Sequence, residues 1–212
     1  MTSPTRPLRR DAERNRQRIL AAAGELFAER GLSVTLDDIA RHAGVGVGTV
    51  YRRFPDKNEL IDALFEDRLK ALCAAAEAAL ASDDPWDGLV LFLERGGELQ
   101  AHDRGLKEVI GSAAHGADAV IAARDRLRVL VTKIFDRAKA AGVVRDDVVA
   151  FDAPLMFMML GAVMDRSRDA APEVWRRYLG LLLDGLRPAA ATPLPHPPLD
   201  AAGLDRVMGK RT

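Results

Sequence analysis

Apolar residues recur at three- and four-residue spacing along most of this chain, and nowhere do they alternate with polar ones over the length of a strand. Ile19, Ala23, Leu26 and Phe27 share one face of a helix, and Leu60, Leu64, Cys73, Ala76 and Leu80 share another. A 3.6-residue period buries a stripe along a helix and leaves a sheet without a face, so the fold must be helices packed on helices. Composition agrees where it bears on this point. Aromatic residues are 5% of the chain, while Ala, Leu, Arg and Asp abound, a mixture that favours helix over strand. The expectation is an all-α protein of about nine helices.

Gly and Pro then divide the chain. Residues 1–10, with two prolines and no apolar period, read as a flexible basic arm. Helical pattern begins at Asp11 and stops at Gly31, a residue suited to a helix C-cap. Thr35 opens a short helix, Gly44 breaks it, and Val47–Phe54 forms another. Asp56 caps a long connecting helix over 56–81, with Glu59 placed to complete a capping box. Past the break at Ser82-Asp83-Asp84-Pro85, helices are expected at about 86–102, 105–114, 117–141, 152–168 and 172–186, within a body spanning 82–187. Pro172 fits the first turn of the last of these, and Gly142 and Gly185 fit C-caps. Gly96-Gly97 marks a kink or a site of close packing. The tail, 188–212, carries five prolines and reads as extended before an apolar stretch that includes Leu199 and Leu204.

Residues 36–55 meet the requirements of a helix-turn-helix. A small side chain, Ala40, stands where the helices come closest, Gly44 takes the turn, and Ile39, Ala43, Val45 and Val50 fix the angle. The second helix then presents Val47, Gly48, Thr49, Tyr51, Arg52 and Arg53 outward, and a helix this short suits the major groove of DNA. Charge leans the same way. Residues 1–60 hold 11 basic and 8 acidic residues within a neutral chain, and residues 1–18 contain six arginines against Asp11 and Glu13. Such an arm is consistent with a phosphate partner and equally with a solvated face.

The run Thr35-Leu36-Asp37-Asp38-Ile39-Ala40, then Ala43-Gly44-Val45, then Gly48-Thr49-Val50-Tyr51-Arg52-Arg53-Phe54-Pro55 and Lys57, resembles the N-terminal domain of TetR-family transcriptional regulators. Arg18-Ile19-Leu20 through Leu26-Phe27 and Gly31 extends the likeness, which covers about residues 12–65. The resemblance implies a DNA-binding unit over 11–55, a dimer on a palindromic operator, and release by an unknown small-molecule effector bound in the body. It implies that Tyr51 and Lys57 meet backbone phosphates, with Thr35 capping its helix and touching phosphate as well. Arg52 and Arg53 reach backbone or bases, and Gly48 and Thr49 lie nearest the base edges. Gly46 and Val47 depart from the family's frequent Ser and Lys or Arg, so readout by Val47 is expected to be apolar, as against a thymine methyl.

The body offers weaker signals. Trp86, Phe92, His102, His115, Phe135, Met156 and Met159 are candidates for a ligand pocket, with ordinary core as the plain alternative. Leu155, Met158, Gly161 and Ala162, with Trp175, Leu179, Leu182 and Leu183, supply two apolar stripes expected to form a four-helix homodimer interface. No His/Cys ligand spacing, Gly-rich phosphate loop or nucleophile motif is found, so no metal, cofactor or enzymatic activity is expected. One cysteine, Cys73, excludes an internal disulfide. No secretion signal or membrane span is read, and a soluble cytoplasmic protein is expected. Two rivals remain: a DNA-binding protein of this fold that senses no ligand, architectural or division-linked, and a helical enzyme.

Overall fold

The computed structural model describes residues 5–101, 118–190 and 192–207. Among these there are nine α-helices and no strand. They are α1 (Thr5–Arg30), α2 (Leu36–Ala43), α3 (Val47–Arg53), α4 (Lys57–Leu80), α5 (Pro85–Ala101), α6 (Asp118–Ala140), α7 (Asp152–Ser167), α8 (Trp175–Leu186) and α9 (Ala201–Val207). The helix expected at 105–114 lies outside the described residues.

Helix α1 starts at Thr5 rather than Asp11. The arm expected over 1–10 is thus helical from its fifth residue. Arg and Leu are strong helix formers, and Pro7 falls in the first turn, where its missing N–H has no helical partner to lose. Gly31 ends the helix with φ 66°, Gly44 ends α2 with φ 62°, and Gly142 follows α6 with φ 68°. Gly185 has no such φ and sits inside α8, which runs to Leu186 and starts only at Trp175. Pro172 therefore belongs to the preceding turn.

Two apolar clusters form. The first joins Ile19, Leu26 and Phe27 of α1 to Ile39 and Ala40 of α2, Val50 of α3 and Leu60–Phe65 of α4. Val120, at the start of α6, joins it as well. The second joins the far half of α4 to α5, α6, α7 and α8 around Phe92, Phe135, Leu160 and Trp175. Helix α4 runs through both, about 36 Å at 1.5 Å per residue. Arg16 of α1 reaches across to Asp67 of α4 through two hydrogen bonds of 3.1 and 3.3 Å.

Gly96 and Gly97 are a close-packing site. A Cβ on Gly96 would stand 2.7 Å from Phe157 Cε1, and one on Gly97 would stand 2.9 Å from Trp175 Cη2. The α5 backbone therefore carries the rings of α7 and α8 directly. The tail is fastened by Arg145, which is buried and pairs with Asp147 while donating to the carbonyls of Gly185 and Thr192. The Leu194 N–H donates in turn to Asp147.

Candidate nucleic-acid interface

Thr35 and Asp38 form a reciprocal cap. The Asp38 N–H donates to Thr35 Oγ1, while the Thr35 N–H and hydroxyl donate to Asp38 Oδ2 at 3.2 and 2.7 Å. These bonds, the hydroxyl's first, hold the Asp38 carboxyl below its usual range. The opposite end of α2 is closed by Arg18. Its Nη2 donates to the Ala43 carbonyl at 2.7 Å and the Gly44 carbonyl at 3.2 Å, a cation on the negative end of a helix. That contact gives Arg18 a structural partner that the sequence pattern did not single out. His42 Nε2 lies 2.7 Å from Glu25 Oε2 and adds a second tie between α1 and α2.

Gly44 in the left-handed conformation turns the chain so that Val50 is fully buried against Ile39 and Ala40. With Val50 inward, the other face of α3 is open. Val47, Gly48, Tyr51, Arg52 and Arg53 are exposed, and Thr49 is half-buried. A Cβ on Gly48 would meet nothing within 4 Å, so the first turn of α3 presents bare backbone. Gly46 stands at the N-cap without a side-chain bond, which leaves the first N–H groups of α3 without a side-chain cap. Arg52 Nη2 reaches Thr49 Oγ1 at 3.4 Å, a weak tether along the face.

Tyr51 has a partner that the sequence pattern did not single out. Its phenol lies near Asp37 in the first turn of α2, and that carboxylate's charge, more than burial, raises the phenol above its ordinary pKa. Lys57 is half-buried at the start of α4, with Nζ 5.7 Å over the ring of Phe27, and burial lowers its pKa. Thr35 is exposed at the edge of the same surface. All eight residues expected to touch DNA thus belong to α3 or to the N-terminal ends of α2 and α4.

The body residues divide differently. Phe92, Phe135 and Met156 are close-packed in the second apolar cluster, Trp86 is half-buried beneath the Arg187 guanidinium, and Met159 is exposed. None of them lines the cavity between α4 and α5. His102 and His115 lie outside the described residues. Of the expected interface residues, Trp175, Leu179 and Gly161 are buried in their own chain. The glycine pair of α5 draws Trp175 inward, and Leu179, one turn on, follows it. Met158 and Ala162 are exposed, and Leu155, Leu182 and Leu183 are half-buried. Met159, Tyr178 and Leu181 join Met158 on the exposed apolar side, Leu181 at 56%.

A family model for bacterial regulatory proteins, tetR family, matches residues 19–64, and one for a transcriptional regulator SbtR-like, C-terminal domain, matches 84–188. An HTH-type transcriptional regulator of Staphylococcus aureus (strain USA300) is 46% identical over 54 residues, 25% of this chain. The match spans 29% of that relative's length, so the likeness is confined to one unit. Two solved structures reach further. A TetR transcriptional regulator from Streptomyces coelicolor is 34% identical with a TM-score of 0.63, over 82% of this chain and 99% of its own. A TetR transcription regulatory protein from Mycobacterium vanbaalenii is also 34% identical, with a TM-score of 0.61, over 85% and 99%. A first unit whose exposed helix suits a DNA groove, joined to a helical body that both structures share, leads to one conclusion: the chain belongs to the TetR family of bacterial transcriptional regulators.

Proposed function

We propose that the chain is a cytoplasmic homodimeric repressor, held on a palindromic operator through α3 and released by a small molecule bound in the body. The observation that carries the reading is the face of α3, where five residues stand exposed on a helix anchored from behind by Val50. Arg52 reads base edges, Tyr51, Lys57, Thr35 and Arg53 meet phosphates, and Val47 makes an apolar contact, with Gly48 and Thr49 closest to the bases. The DNA-binding unit is 11–55, the connecting helix 56–81, and the sensing and dimerising body 82–187.

One such helix reads only half a site, so two copies must associate. Met158, Met159, Ala162, Tyr178 and Leu181 support an isologous interface on the outer side of α7 and α8, an apolar surface that soluble monomers avoid. Light scattering beside a band-shift assay on Met158→Glu/Leu181→Glu tests it. Two unpaired charges at such an interface cost several kcal/mol or about that, so the variant should be monomeric and lose operator binding together. A variant that stays dimeric and binds normally would place the interface elsewhere. The close packing of Phe92, Phe135 and Met156 favours a second reading, a regulator without an effector. That reading predicts operator binding indifferent to every added small molecule.

A further inference from the structure

We infer that Arg18 is a positioning residue for DNA recognition: from α1 its guanidinium fixes the turn ahead of α3 and so sets how sharply the chain tells its operator from other DNA. This deepens the reading of α3 above and rests on it only for the consequence at DNA. The turn needs fixing from outside. Gly44, Gly46 and Gly48 place three glycines in five residues, and glycine has more backbone freedom to lose than any other residue. Gly46, at the N-cap of α3, brings no side-chain bond. The first turn of α3 closes instead through backbone bonds, the Thr49 and Val50 amides donating to the Gly46 carbonyl at 2.8 and 3.3 Å.

Arg18 supplies what the turn lacks. The closing bonds of α2 run from the Gly44 amide to the Arg41 carbonyl at 3.3 Å and from the Val45 amide to the Ala40 carbonyl at 3.1 Å. The carbonyls of Ala43 and Gly44 lie beyond that closure, and Arg18 Nη2 donates to both, at 2.7 and 3.2 Å. A Cβ on Gly44 would stand 3.1 Å from the same nitrogen, so the guanidinium sits on the residue whose left-handed φ of 62° reverses the chain. One nitrogen thereby joins the end of α2 to the start of the connection into α3. The stem of Arg18 is firmly seated. Ile19 and Leu20, next to it on α1, are buried in the first cluster, and Arg16 is bonded to Asp67 of α4 at 3.1 and 3.3 Å. Contacts thus run from α4 through α1 to the turn. Without Arg18, α3 would still dock through Val50, but its exposed face would lose its fixed orientation. Base edges demand closer placement than phosphates do, so discrimination should suffer before general affinity for DNA. A phosphate contact is the rival role for a side chain that is otherwise open to solvent.

Two measurements on the full chain compare wild type with Arg18→Gln, the first without DNA. In the free protein, amide exchange at Thr49 and Val50 should speed up about tenfold, as loss of one charge-assisted bond implies. The Ile39 amide, bonded to the Thr35 carbonyl at the far end of α2, should keep its rate. In band shifts, affinity for the duplex selected from a random pool should fall about tenfold. Affinity for a scrambled duplex, and its slope against salt, should stay as in the wild type. Gly46→Ser supplies the missing cap, and its Cβ would meet only Thr49 Oγ1, at 3.7 Å. It should recover selective binding by about three- to fivefold in the Arg18→Gln background and change the wild type less. Should Arg18→Gln not fold, Arg18→Lys, which keeps the cation without the fork, should show the same pattern at about threefold. Equal losses on both duplexes, with a salt slope lower by about one, would make Arg18 a phosphate contact and overturn the inference. Unchanged exchange at Thr49 and Val50 would overturn it whatever the DNA result. A wild-type chain without preference among duplexes would sink the DNA reading of α3 and the consequence for discrimination, while faster exchange in Arg18→Gln would still sustain the fastening of the turn.

Discussion

Replacing Gly97 by Ala sets two effects of opposite sign against each other. In an open helix interior the change lowers the entropy of the unfolded chain and stabilises by about 1 kcal/mol. At Gly97 the new Cβ would lie 2.9 Å from Trp175 Cη2 and 3.2 Å from Cε3, and nearer still to Cζ3. Carbon atoms rest at about 3.5–4.0 Å, so the indole would have to move. It is wholly buried and has nowhere to go. Overpacking of this kind costs about 1–3 kcal/mol, and the enclosed rigid ring argues for the upper part of that range. Subtracting the helix gain leaves a net loss of about 1–2 kcal/mol. Gly185→Ala is the control, because an added Cβ there meets nothing within 4 Å and the backbone φ is not positive. It should stabilise by about 0.5–1 kcal/mol. Urea unfolding followed by tryptophan fluorescence reads the body alone, since Trp86 and Trp175 both lie there. At equal protein concentration the Gly97→Ala midpoint should fall by roughly 0.5 M. A midpoint raised as far as that of Gly185→Ala would refute the packing argument.

Gly44→Ala should destabilise the first unit by about 1–2 kcal/mol through left-handed strain, and its Cβ would also press on Arg18 Nη2 at 3.1 Å; a circular-dichroism melt that does not move would contradict this. Asp147 is held down to about 2, chiefly by its bond with Arg145. Because its folded pKa is depressed, the tail fastening is complete above the ordinary carboxylate range and is lost as pH falls through about 2. The Leu194 amide resonance should titrate near that pH and stay flat in Asp147→Asn; a midpoint at the ordinary carboxylate value would remove the clamp. Asp37→Asn should bring the Tyr51 phenol down toward its ordinary pKa in an ultraviolet titration. It should also strengthen binding to duplexes of every sequence by up to about fivefold, the ceiling for one exposed charge contact; unchanged or weaker binding would show that Asp37 does not oppose the phosphates.

What was legible in the sequence was local. Thr35 and Asp38 cap their own helix, Gly44 relieves its own φ, and Ile39, Ala40 and Val50 need only each other, so short-range choices were enough to expose the α3 face. The flexible arm read over residues 1–10, from two prolines and no apolar period, is helical from Thr5, because a first helical turn accepts Pro7. The body failed for another reason. Helical spacing shows which residues share a face but not which neighbour that face meets. Trp175 and Leu179 looked like an outer stripe and are an inner one, because Gly96 and Gly97 let the rings of α7 and α8 lie on α5. That glycine pair was the available signal, read as a kink or a site of close packing without a partner. Arg18, Arg145 and Asp37 act through contacts with residues distant in sequence, which leave no period to read.

The central claim, that α3 reads half of a two-fold operator, is tested most directly by selecting bound sequences from a random duplex pool with the wild-type chain and with Arg52→Ala. The account predicts a palindromic consensus whose half-sites are about one helical turn apart or somewhat more. In Arg52→Ala, one position per half-site should lose about 1–3 kcal/mol of discrimination, with the remaining positions intact. A consensus without two-fold symmetry, or the same consensus from Arg52→Ala with affinity merely lowered on all sequences, would contradict it.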